Sequence, residues 1–479
     1  MNSFTSAEPV YLRLAAVLEG MIHNRTFSPG DRMPSVRDFS RQQRVSVPTA
    51  LKAYVMLETR GLINARPKSG FFVRPRQADL LREPSDVTAA PKITEISATD
   101  PLDSVLSDHG NKKLVPLGAA IPNYSLLPAE KLARTMGAIA RKLGSESIGY
   151  DMAPGSEMVR REIARRSLSW GCSLKAEDFI ITIGGTEALA LALRATSKPG
   201  DTVAIESPTY YGLVHMLREL SLNVLPVPMD GVNGIDVNAL ERAVKRTKVS
   251  ACVLIPNFNN PTGALMPDEN KQRVVEFLAK RNVPIIEDDI YGDLQHDGMR
   301  PHCLKKFDRD GNVLLCSSFS KSLAPGYRVG YIAPGRFYKR VMLLKKASTL
   351  ANSSLPTLAV GEFLRDGGYD RYLRGLRATY KDQVARMREA IAETFPEGIG
   401  LSRPTGGFVL WVELPKKTDS IELFRQARAA GISIAPGPLF SAEGGFRNFI
   451  RLNCGEPWDA RIERAIGILG HLVERLSNR

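Results

Sequence analysis

Between residues 179 and 315, short apolar runs alternate with longer amphipathic stretches, and this alternation constrains the fold more than any other feature of the chain. Runs that are apolar throughout are typical of parallel strands buried on both faces, and the stretches between them have the period of helices. The apolar runs lie at residues 179–183, 202–205, 251–255, 284–286 and 313–315. We therefore predict an α/β fold with a mainly parallel sheet, then a largely helical segment over 337–393, then a smaller C-terminal α+β subdomain.

In such sheets ligands bind beyond the carboxyl ends of the strands, and a lysine follows the run at 313–315. Lys321 comes after Ser318 and Ser320, and Arg328 lies seven positions further on. A lysine that forms a Schiff base needs partial burial and cationic neighbours that lower its pKa. One lysine among dozens is weak evidence, but the serines and the arginine strengthen it, because together they would bind a phosphate group.

Two further motifs follow neighbouring apolar runs. Asp288 and Tyr291 come directly after the run at 284–286, and Asn260 lies in the segment 257–263. An aspartate beneath a pyridine nitrogen keeps that nitrogen protonated, so that the ring acts as an electron sink. Asn260 and Tyr291 would hydrogen-bond the phenolate oxygen of such a ring. By itself, the sequence Asn-Pro-Thr-Gly is equally typical of a turn.

Two features indicate binding of anions. Gly184, Gly185 and Thr186 follow a predicted strand and open a helix, where exposed backbone N–H groups form an anion site. A glycine pair alone is a weak signal. Arg451 lies in an otherwise apolar run at 449–453, so it needs an anionic partner. A substrate carboxylate clamped by two N–H groups would satisfy it, and an internal salt bridge is the alternative.

Over residues 114–475 these motifs, in this order, resemble the fold-type-I, pyridoxal-phosphate-dependent class I/II aminotransferases. The resemblance implies that Lys321 is catalytic, carrying the cofactor covalently and moving the Cα proton. It implies that Tyr210 stacks on the cofactor ring, that Tyr150 reaches the cofactor phosphate of a partner subunit, and that Arg451 binds the substrate carboxylate. The cofactor-binding residues would be Gly185, Thr186, Tyr210, Asn260, Asp288, Tyr291, Ser318, Ser320, Lys321, Arg328 and Tyr150.

Residues 10–74 predict three helices and a hairpin. The helices lie at 11–23, 35–42 and 47–59, and Ser35 and Ser46 are suited to cap the second and third. Two short strands, 62–65 and 71–74, flank a turn at 67–70. The first helix is expected to bury one face formed by Leu12, Ala15, Ala16 and Ile22. Helix, turn, helix and basic hairpin make a winged helix-turn-helix.

The motifs in this N-terminal region resemble the GntR-type winged-helix DNA-binding domain. They are Pro34-Ser35-Val36-Arg37, Val45-Ser46, Ala53-Tyr54-Val55-Met56-Leu57 and Ser69-Gly70-Phe71-Phe72-Val73. The resemblance implies that DNA backbone and base edges are faced by Arg37, Ser46, Thr49 and Lys52, and that Lys68 and Gly70 lie at a wing reaching the minor groove. Val47-Pro48 replaces the more polar pair common in that family, which leaves the operator sequence open. The alternative is a small helical oligomerisation domain whose basic side chains are only solvated.

The charge distribution agrees with a DNA-binding module at the N-terminal end. The net charge is +14, and residues 1–78 hold 12 Lys/Arg against 5 Asp/Glu. Half of the excess therefore lies in about a sixth of the chain. Apolar runs are too short for a membrane span, the N-terminal sequence lacks a signal-peptide pattern, and the five cysteines lack metal-ligand spacing. We expect a cytoplasmic protein with reduced thiols, no membrane association and no metal.

The domains are predicted as a winged helix-turn-helix at 1–75, a linker rich in Pro, Ser, Thr and Asp at 76–113, and an aminotransferase-like domain at 114–479. This arrangement resembles the MocR subfamily of transcription regulators. It implies a homodimer that binds operator DNA and senses pyridoxal phosphate, an amino compound, or both. The alternative is a functional aminotransferase, acting on an amino acid and a 2-oxo acid, that carries a DNA-binding head. The sequence identifies neither the amine, nor the operator, nor the direction of regulation.

Overall fold

The computed structural model describes residues 9–23, 26–59, 62–66, 69–74, 77–85, 91–94, 105, 107–108 and 110–478. The chain divides into two compact units, Met1–Arg82 and Glu83–Arg479. The smaller unit contains the predicted winged helix-turn-helix, and the larger unit contains the predicted α/β domain.

Residues 10–74 have the predicted order of helices and strands, and a short helix that was not predicted follows at the start of the predicted linker. The elements of the smaller unit are α1 (Val10–His23), α2 (Val36–Gln43), α3 (Val47–Thr59), the antiparallel hairpin β1 (Ile63–Arg66) and β2 (Gly70–Val73), and the short α4 (Gln77–Leu80). Both predicted caps are present. The Ser35 side chain accepts from the Asp38 backbone N–H, and the Ser46 hydroxyl accepts from that of Thr49. Each cap satisfies a backbone donor that the helix itself leaves free.

Tyr54 on α3 is the centre of the small core. It is fully buried, and its ring lies edge-on to Phe39 on α2 and to Phe71 on β2, with centroids 5.7 and 5.1 Å apart. Its hydroxyl donates to the Pro34 carbonyl at 2.8 Å. One side chain therefore joins α3, the start of α2 and the hairpin.

The face predicted for α1 is wrong in part. Ala15 and Ile22 are buried as expected, but Ala16 is exposed and Leu12 is only half-buried. The buried side chains are Leu14, Ala15, Leu18 and Ile22. Leu14, Leu18 and Ile22 are spaced by four, so they form a stripe along one side of the helix, whereas positions 12 and 16 belong to another side.

The larger unit alternates strands with helices, as predicted. Its strands are β3 (Val115–Pro116), β4 (Asp151–Met152), β5 (Ile180–Thr182), β6 (Thr202–Ser207), β7 (Asn223–Asp230), β8 (Gly234–Ile235), β9 (Ala251–Leu254), β10 (Ile285–Asp288), β11 (Val313–Ser318), β12 (Gly330–Ala333), β13 (Ala351–Asn352), β14 (Gly400–Leu401), β15 (Val409–Glu413), β16 (Ile432–Ser433), β17 (Ala435–Pro436) and β18 (Phe449–Asn453). Its helices are α5 (Ala129–Leu143), α6 (Glu157–Ser167), α7 (Gly184–Thr196), α8 (Tyr211–Glu219), α9 (Val237–Arg246), α10 (Asp268–Ala279), α11 (Tyr338–Ser348), α12 (Ser354–Arg365), α13 (Gly368–Thr394), α14 (Ser420–Ala429) and α15 (Ala460–Ser477).

Eight strands form the central sheet, in the order β5-β12-β11-β10-β9-β6-β7-β8. The five from β11 to β7 are parallel, while β12 is antiparallel to both of its neighbours and β8 is antiparallel to β7. Helices α7, α8 and α11 cover one apolar face, and α9 and α10 cover the other. This confirms the mainly parallel sheet, and it explains why the strands are apolar throughout.

The C-terminal part is the predicted α+β subdomain. Its antiparallel sheet has the order β14-β15-β18-β17, and Arg451 lies at the middle of β18, opposite Trp411 and Ala435. The helical segment expected at 337–393 consists of α11, α12 and α13.

Residues from the predicted linker form hydrogen bonds within the larger unit. The backbone of Thr94 exchanges two hydrogen bonds with that of Val224 on β7, at 3.0 and 3.2 Å. The buried carboxylate of Asp108 accepts from Arg428 on α14 at 3.0 Å. These linker residues are therefore part of the larger unit's structure. Within the described part of the chain, no helix combines the length and the apolar character needed to cross a bilayer.

Candidate functional site

A cavity lies at the carboxyl ends of β6, β10 and β11 and at the start of α7. Because these ends lie at one edge of the sheet, the residues that follow them meet there. The cavity lining includes ten of the predicted cofactor-binding residues, namely Gly185, Thr186, Tyr210, Asn260, Asp288, Tyr291, Ser318, Ser320, Lys321 and Arg328.

One end of the cavity is an anion site. Gly184 opens α7 with φ +77°, a left-handed backbone conformation that favours glycine, and it lies against the guanidinium of Arg328. Arg328 donates to the Ser320 hydroxyl at 3.3 Å, and the Ser320 backbone N–H donates to the Ser318 hydroxyl at 3.3 Å. Helix N–H groups, a guanidinium and two hydroxyls thus converge, which is the donor set that a phosphate group requires.

Lys321 lies deeper in the same cavity. Its ammonium donates to the carbonyl oxygen of Ala120 at 2.5 Å. Removal from bulk water, together with the positive charges of Arg451 and Arg328, lowers its pKa to about 8, while Asp288 opposes the shift. A lysine with such a pKa has an appreciable neutral fraction near pH 7, and the neutral amine is the nucleophile.

Asp288 ends β10 inside the cavity. Burial and the neighbouring charge of Asp289 raise its pKa to about 7, against the Ile290 backbone N–H and Lys321, which lower it. A buried carboxylate in this position is stabilised as an anion by any further cation that enters the cavity. A protonated pyridine nitrogen is such a cation, so Asp288 fits the group that the sequence predicts there.

Asn260, Tyr291 and Tyr210 form the polar and aromatic wall. The Asn260 side-chain amide donates to the Tyr291 hydroxyl at 3.4 Å. Burial raises the pKa of both Tyr291 and Tyr210 far above the usual range, so both remain neutral hydrogen-bond donors. The centroids of the Tyr210 and Tyr211 rings lie 5.0 Å apart, and a Cβ at Gly212 would overlap the Tyr210 ring.

Arg451 is fully buried behind this wall. It donates to the Asn260 side-chain oxygen at 3.2 Å and to the Gly118 carbonyl oxygen. Among the residues that the structure describes, its Nε has no hydrogen-bond partner and no carboxylate forms an ion pair with it. The internal salt bridge considered as the alternative is thus not formed there. Arg451 is not part of the cavity lining, and Asn260, which is, connects its guanidinium to the cavity.

Sequence reasoning did not identify the segment 117–122. It contributes the carbonyls of Gly118 and Ala120 to Arg451 and Lys321, and the side chains of Ile121 and Pro122 to the cavity lining. These contacts come largely from the backbone of a Gly-Ala-Ala sequence, so the residue types carried no chemical signal.

Tyr150 is the one predicted cofactor-binding residue outside this lining. Its side chain is 81% exposed, just before β4. The single chain therefore leaves Tyr150 on a surface, away from the other ten residues.

The predicted DNA-binding residues lie on the surface of the smaller unit. Arg37, Ser46, Lys52 and Gly70 are exposed, and Thr49 is half-buried. The Ser46 and Thr49 hydroxyls lie 2.7 Å apart at the start of α3. Lys68 lies outside the described residues.

Comparison with known proteins identifies the family. The aminotransferase class I and II model matches residues 113–469, and that of the bacterial regulatory proteins of the gntR family matches residues 10–73. The chain is 38% identical over 465 residues to the HTH-type transcriptional regulator YjiR of Escherichia coli strain K12, spanning 97% of this chain and 99% of the relative. The chain belongs to the GntR-type transcriptional regulators with an aminotransferase class I/II domain. YdcR of the same organism is 35% identical over 464 residues, with the same coverage.

Solved structures agree with this assignment. The α-aminoadipate aminotransferase LysN from Thermus thermophilus, complexed with N-(5'-phosphopyridoxyl)-L-leucine, has a TM-score of 0.73 and 28% identity, covering 80% of this chain and 96% of that one. The kynurenine aminotransferase of Pyrococcus horikoshii has a TM-score of 0.74 and 26% identity, covering 79% and 95%. The predicted domain combination of the MocR subfamily, the fold-type-I architecture and pyridoxal phosphate as the family's cofactor are confirmed.

Proposed function

We propose that this protein is a cytoplasmic, homodimeric transcription regulator whose larger unit binds pyridoxal phosphate at Lys321 and senses an amino acid, and whose smaller unit binds operator DNA. The observation that supports this most directly is the meeting of ten predicted cofactor-binding residues in one cavity, in a chain that also has a DNA-binding fold. A metabolic enzyme has no need of a sequence-reading module, so regulation is the favoured role.

Each part of the cofactor would meet a matching group. Arg328, the serines and the start of α7 would bind the phosphate, Asp288 the ring nitrogen, Asn260 and Tyr291 the phenolic oxygen, Tyr210 the ring face and Lys321 the aldehyde carbon. When bound, the cofactor supplies an electrophilic carbon for amines and an electron-withdrawing ring. Lys321, with its lowered pKa, gives up a proton more easily than an exposed lysine and is placed to move a proton at the ligand's Cα.

Arg451 would select ligands that carry a carboxylate. If Arg328 binds the phosphate and Lys321 the aldehyde, the described cation left for the ligand would be Arg451, which donates to the lining residue Asn260 from outside the lining. A carboxylate arriving there would compete with the Gly118 carbonyl, which the guanidinium now binds. Occupancy of Arg451 would therefore act first on the backbone of the segment 117–122.

Tyr150 supports the homodimer. An aromatic side chain that is 81% exposed, close to Ile148 at 90%, forms an apolar surface that a second copy of the chain would cover. Tyr150 would then reach the phosphate group in the partner's cavity. The smaller units would occupy paired operator half-sites.

The second candidate function is complete transamination. The lowered pKa of Lys321 and the buried Arg451 supply both the base and the carboxylate receptor that this reaction needs. A broad screen of amino donors and 2-oxo acids distinguishes the two functions. Sustained turnover favours the enzyme, and half-reactions alone favour the regulator.

Operator binding tests the regulator directly. Wild type, Lys321→Ala and the control Lys339→Ala, at an exposed lysine of the same unit, are compared with and without pyridoxal phosphate and candidate amino acids. We expect wild type and Lys339→Ala to respond alike and Lys321→Ala to lose the response. Identical operator binding by all three under every condition would overturn the proposal.

A further inference from the structure

Ser322, the residue after Lys321, begins a path of buried hydrogen bonds. Its hydroxyl lies 2.7 Å from that of Tyr369 on α13, and the Tyr369 hydroxyl donates to a carboxylate oxygen of Asp293 at 3.1 Å. Because the single phenolic proton goes to Asp293, Ser322 donates to Tyr369. Ser322 is 3% exposed and Tyr369 is fully buried.

The path continues from Asp293 to the residue beside Asp288. Arg300 donates through Nε to the second oxygen of Asp293 at 2.7 Å and through Nη2 to Asp289. The structure thus contains an unbroken path, Ser322–Tyr369–Asp293–Arg300–Asp289, which we call the buried polar path. Its two ends adjoin Lys321 and Asp288 in the sequence.

The buried polar path is charge-balanced and closely packed. Arg166 also donates to Asp293, at 3.2 Å, and the two guanidinium groups hold the pKa of Asp293 well below its usual range against the effect of burial. A Cβ at Gly292 would lie 2.4 Å from Asp289 and 2.6 Å from Arg300, so the backbone there is packed against the ion pair. Buried ion pairs contribute little net stability compared with apolar packing, whereas a fully satisfied polar network makes the local structure rigid.

Lys321 and Asp288 need a defined geometry. They follow the neighbouring parallel strands β11 and β10, which pair as far as Asp288 and Cys316. Beyond that point Lys321 leaves the sheet, and among the described residues no hydrogen bond joins its side chain to that of Asp288, since the ammonium donates to Ala120. Both must nevertheless meet one rigid cofactor ring, at opposite positions.

We propose that the buried polar path positions Lys321 relative to Asp288, and that the Tyr369 hydroxyl is its essential link on the side of Lys321. This rests on the proposed function, which assigns the cofactor to these two residues. Tyr369 touches neither the cofactor nor the ligand in this proposal, and it acts only through Ser322 and Asp293.

Tyr369→Phe removes the hydroxyl and keeps the ring. Tyr380→Phe is the matched control, because Tyr380 lies on the same helix, is also fully buried, and has a hydroxyl without a hydrogen-bond partner among the described residues. Pyridoxal phosphate is added to each full-length apo-protein. The rate of its attachment and the pH midpoint of its visible absorbance are measured, together with the melting temperature of the apo-protein.

We expect Tyr369→Phe to attach the cofactor roughly tenfold more slowly, or to shift the pH midpoint, since small misplacements of reacting groups have large effects on rate. Tyr380→Phe should behave like wild type. If Tyr369→Phe changes only the melting temperature, the path is structural and the proposal is overturned. If that variant fails to fold, Ser322→Ala breaks the same path and decides between the two outcomes. Unchanged cofactor attachment in Lys321→Ala would instead refute the proposed function.

Discussion

Replacing Arg451 by glutamine should abolish the preference for ligands with a carboxylate. On the proposed function, a carboxylate bound by Arg451 would gain two charge-assisted hydrogen bonds, each worth about 1.5–3 kcal/mol, and would displace one contact of the same kind with Gly118. The net gain is about 2 kcal/mol, which corresponds to a roughly thirtyfold difference in affinity.

The assay compares an α-amino acid that binds with the amine that lacks its carboxylate. Both are titrated into the cofactor-loaded protein while the visible absorbance of the cofactor is recorded. The ratio of the two dissociation constants cancels any general loss of folded protein. Arg461→Gln, at an exposed arginine on α15, is the matched control.

We expect a ratio of roughly 30 for wild type and Arg461→Gln, from the bond energies above, and a ratio near one for Arg451→Gln. The affinity for the amine itself should change little. Equal wild-type affinities for acid and amine would refute the role of Arg451, and so would a preference that survives in Arg451→Gln.

Three further expectations concern Lys321 and the smaller unit. Because the pKa of Lys321 is lowered to about 8, cofactor attachment to the apo-protein should accelerate as the pH rises through 8 and then level off; a rate still rising at pH 10 would contradict this. In hydrogen exchange on the full chain, Tyr54→Phe should destabilise α1–α3 by about 1 kcal/mol and Tyr54→Ala by about 3–5 kcal/mol, and exchange unchanged in both variants would argue against that core. Arg37→Ala and Lys52→Ala should each reduce the slope of log operator affinity against log salt by about one; unchanged slopes would show that neither side chain meets a phosphate.

The fold was predictable where one local pattern had one physical meaning. Continuous apolar runs between amphipathic stretches led to the parallel sheet. The bounds of α3 and β18 in the structure are those expected from capping and apolar pattern. In both cases, the residues that form the element also determine its ends.

Strand β7 was not predicted, and two of its residues, Pro226 and Pro228, are of a type that argues against a strand. The structure explains their tolerance. Val224, two residues before Pro226, bonds outward to Thr94, and the carbonyl of Pro228 accepts from Asp236 on the same side. The backbone nitrogens of Pro226 and Pro228 therefore face the outer side of the sheet. There β8 pairs only with the end of β7, so the missing N–H groups interrupt no hydrogen bond between these two strands. Which strand lies at that side depends on the whole topology and not on the local sequence.

The residues of the candidate site likewise fall into those that the sequence predicted and those that only the structure shows. Lys321, Asp288 and Arg451 carry their chemistry in the side chain, so motifs identified them. The Gly118 carbonyl is a backbone group, and Tyr369 reaches Asp293 from 76 positions away in the sequence. Contacts of these two kinds become visible only when the chain is folded.

The hydrogen bonds that Thr94 and Asp108 of the predicted linker form within the larger unit determine which fragment can be studied alone. A protein shortened to begin at residue 114 would keep every residue of the cavity, yet it would lose Thr94 and Asp108. The Val224 backbone would then lack its hydrogen bonds to Thr94, and Arg428 would lose its ion pair with the buried carboxylate of Asp108. The uncovered backbone groups at the edge of the sheet would favour association between copies of the fragment. The fragment of the larger unit suited to isolated study therefore begins at Glu83, where that unit begins.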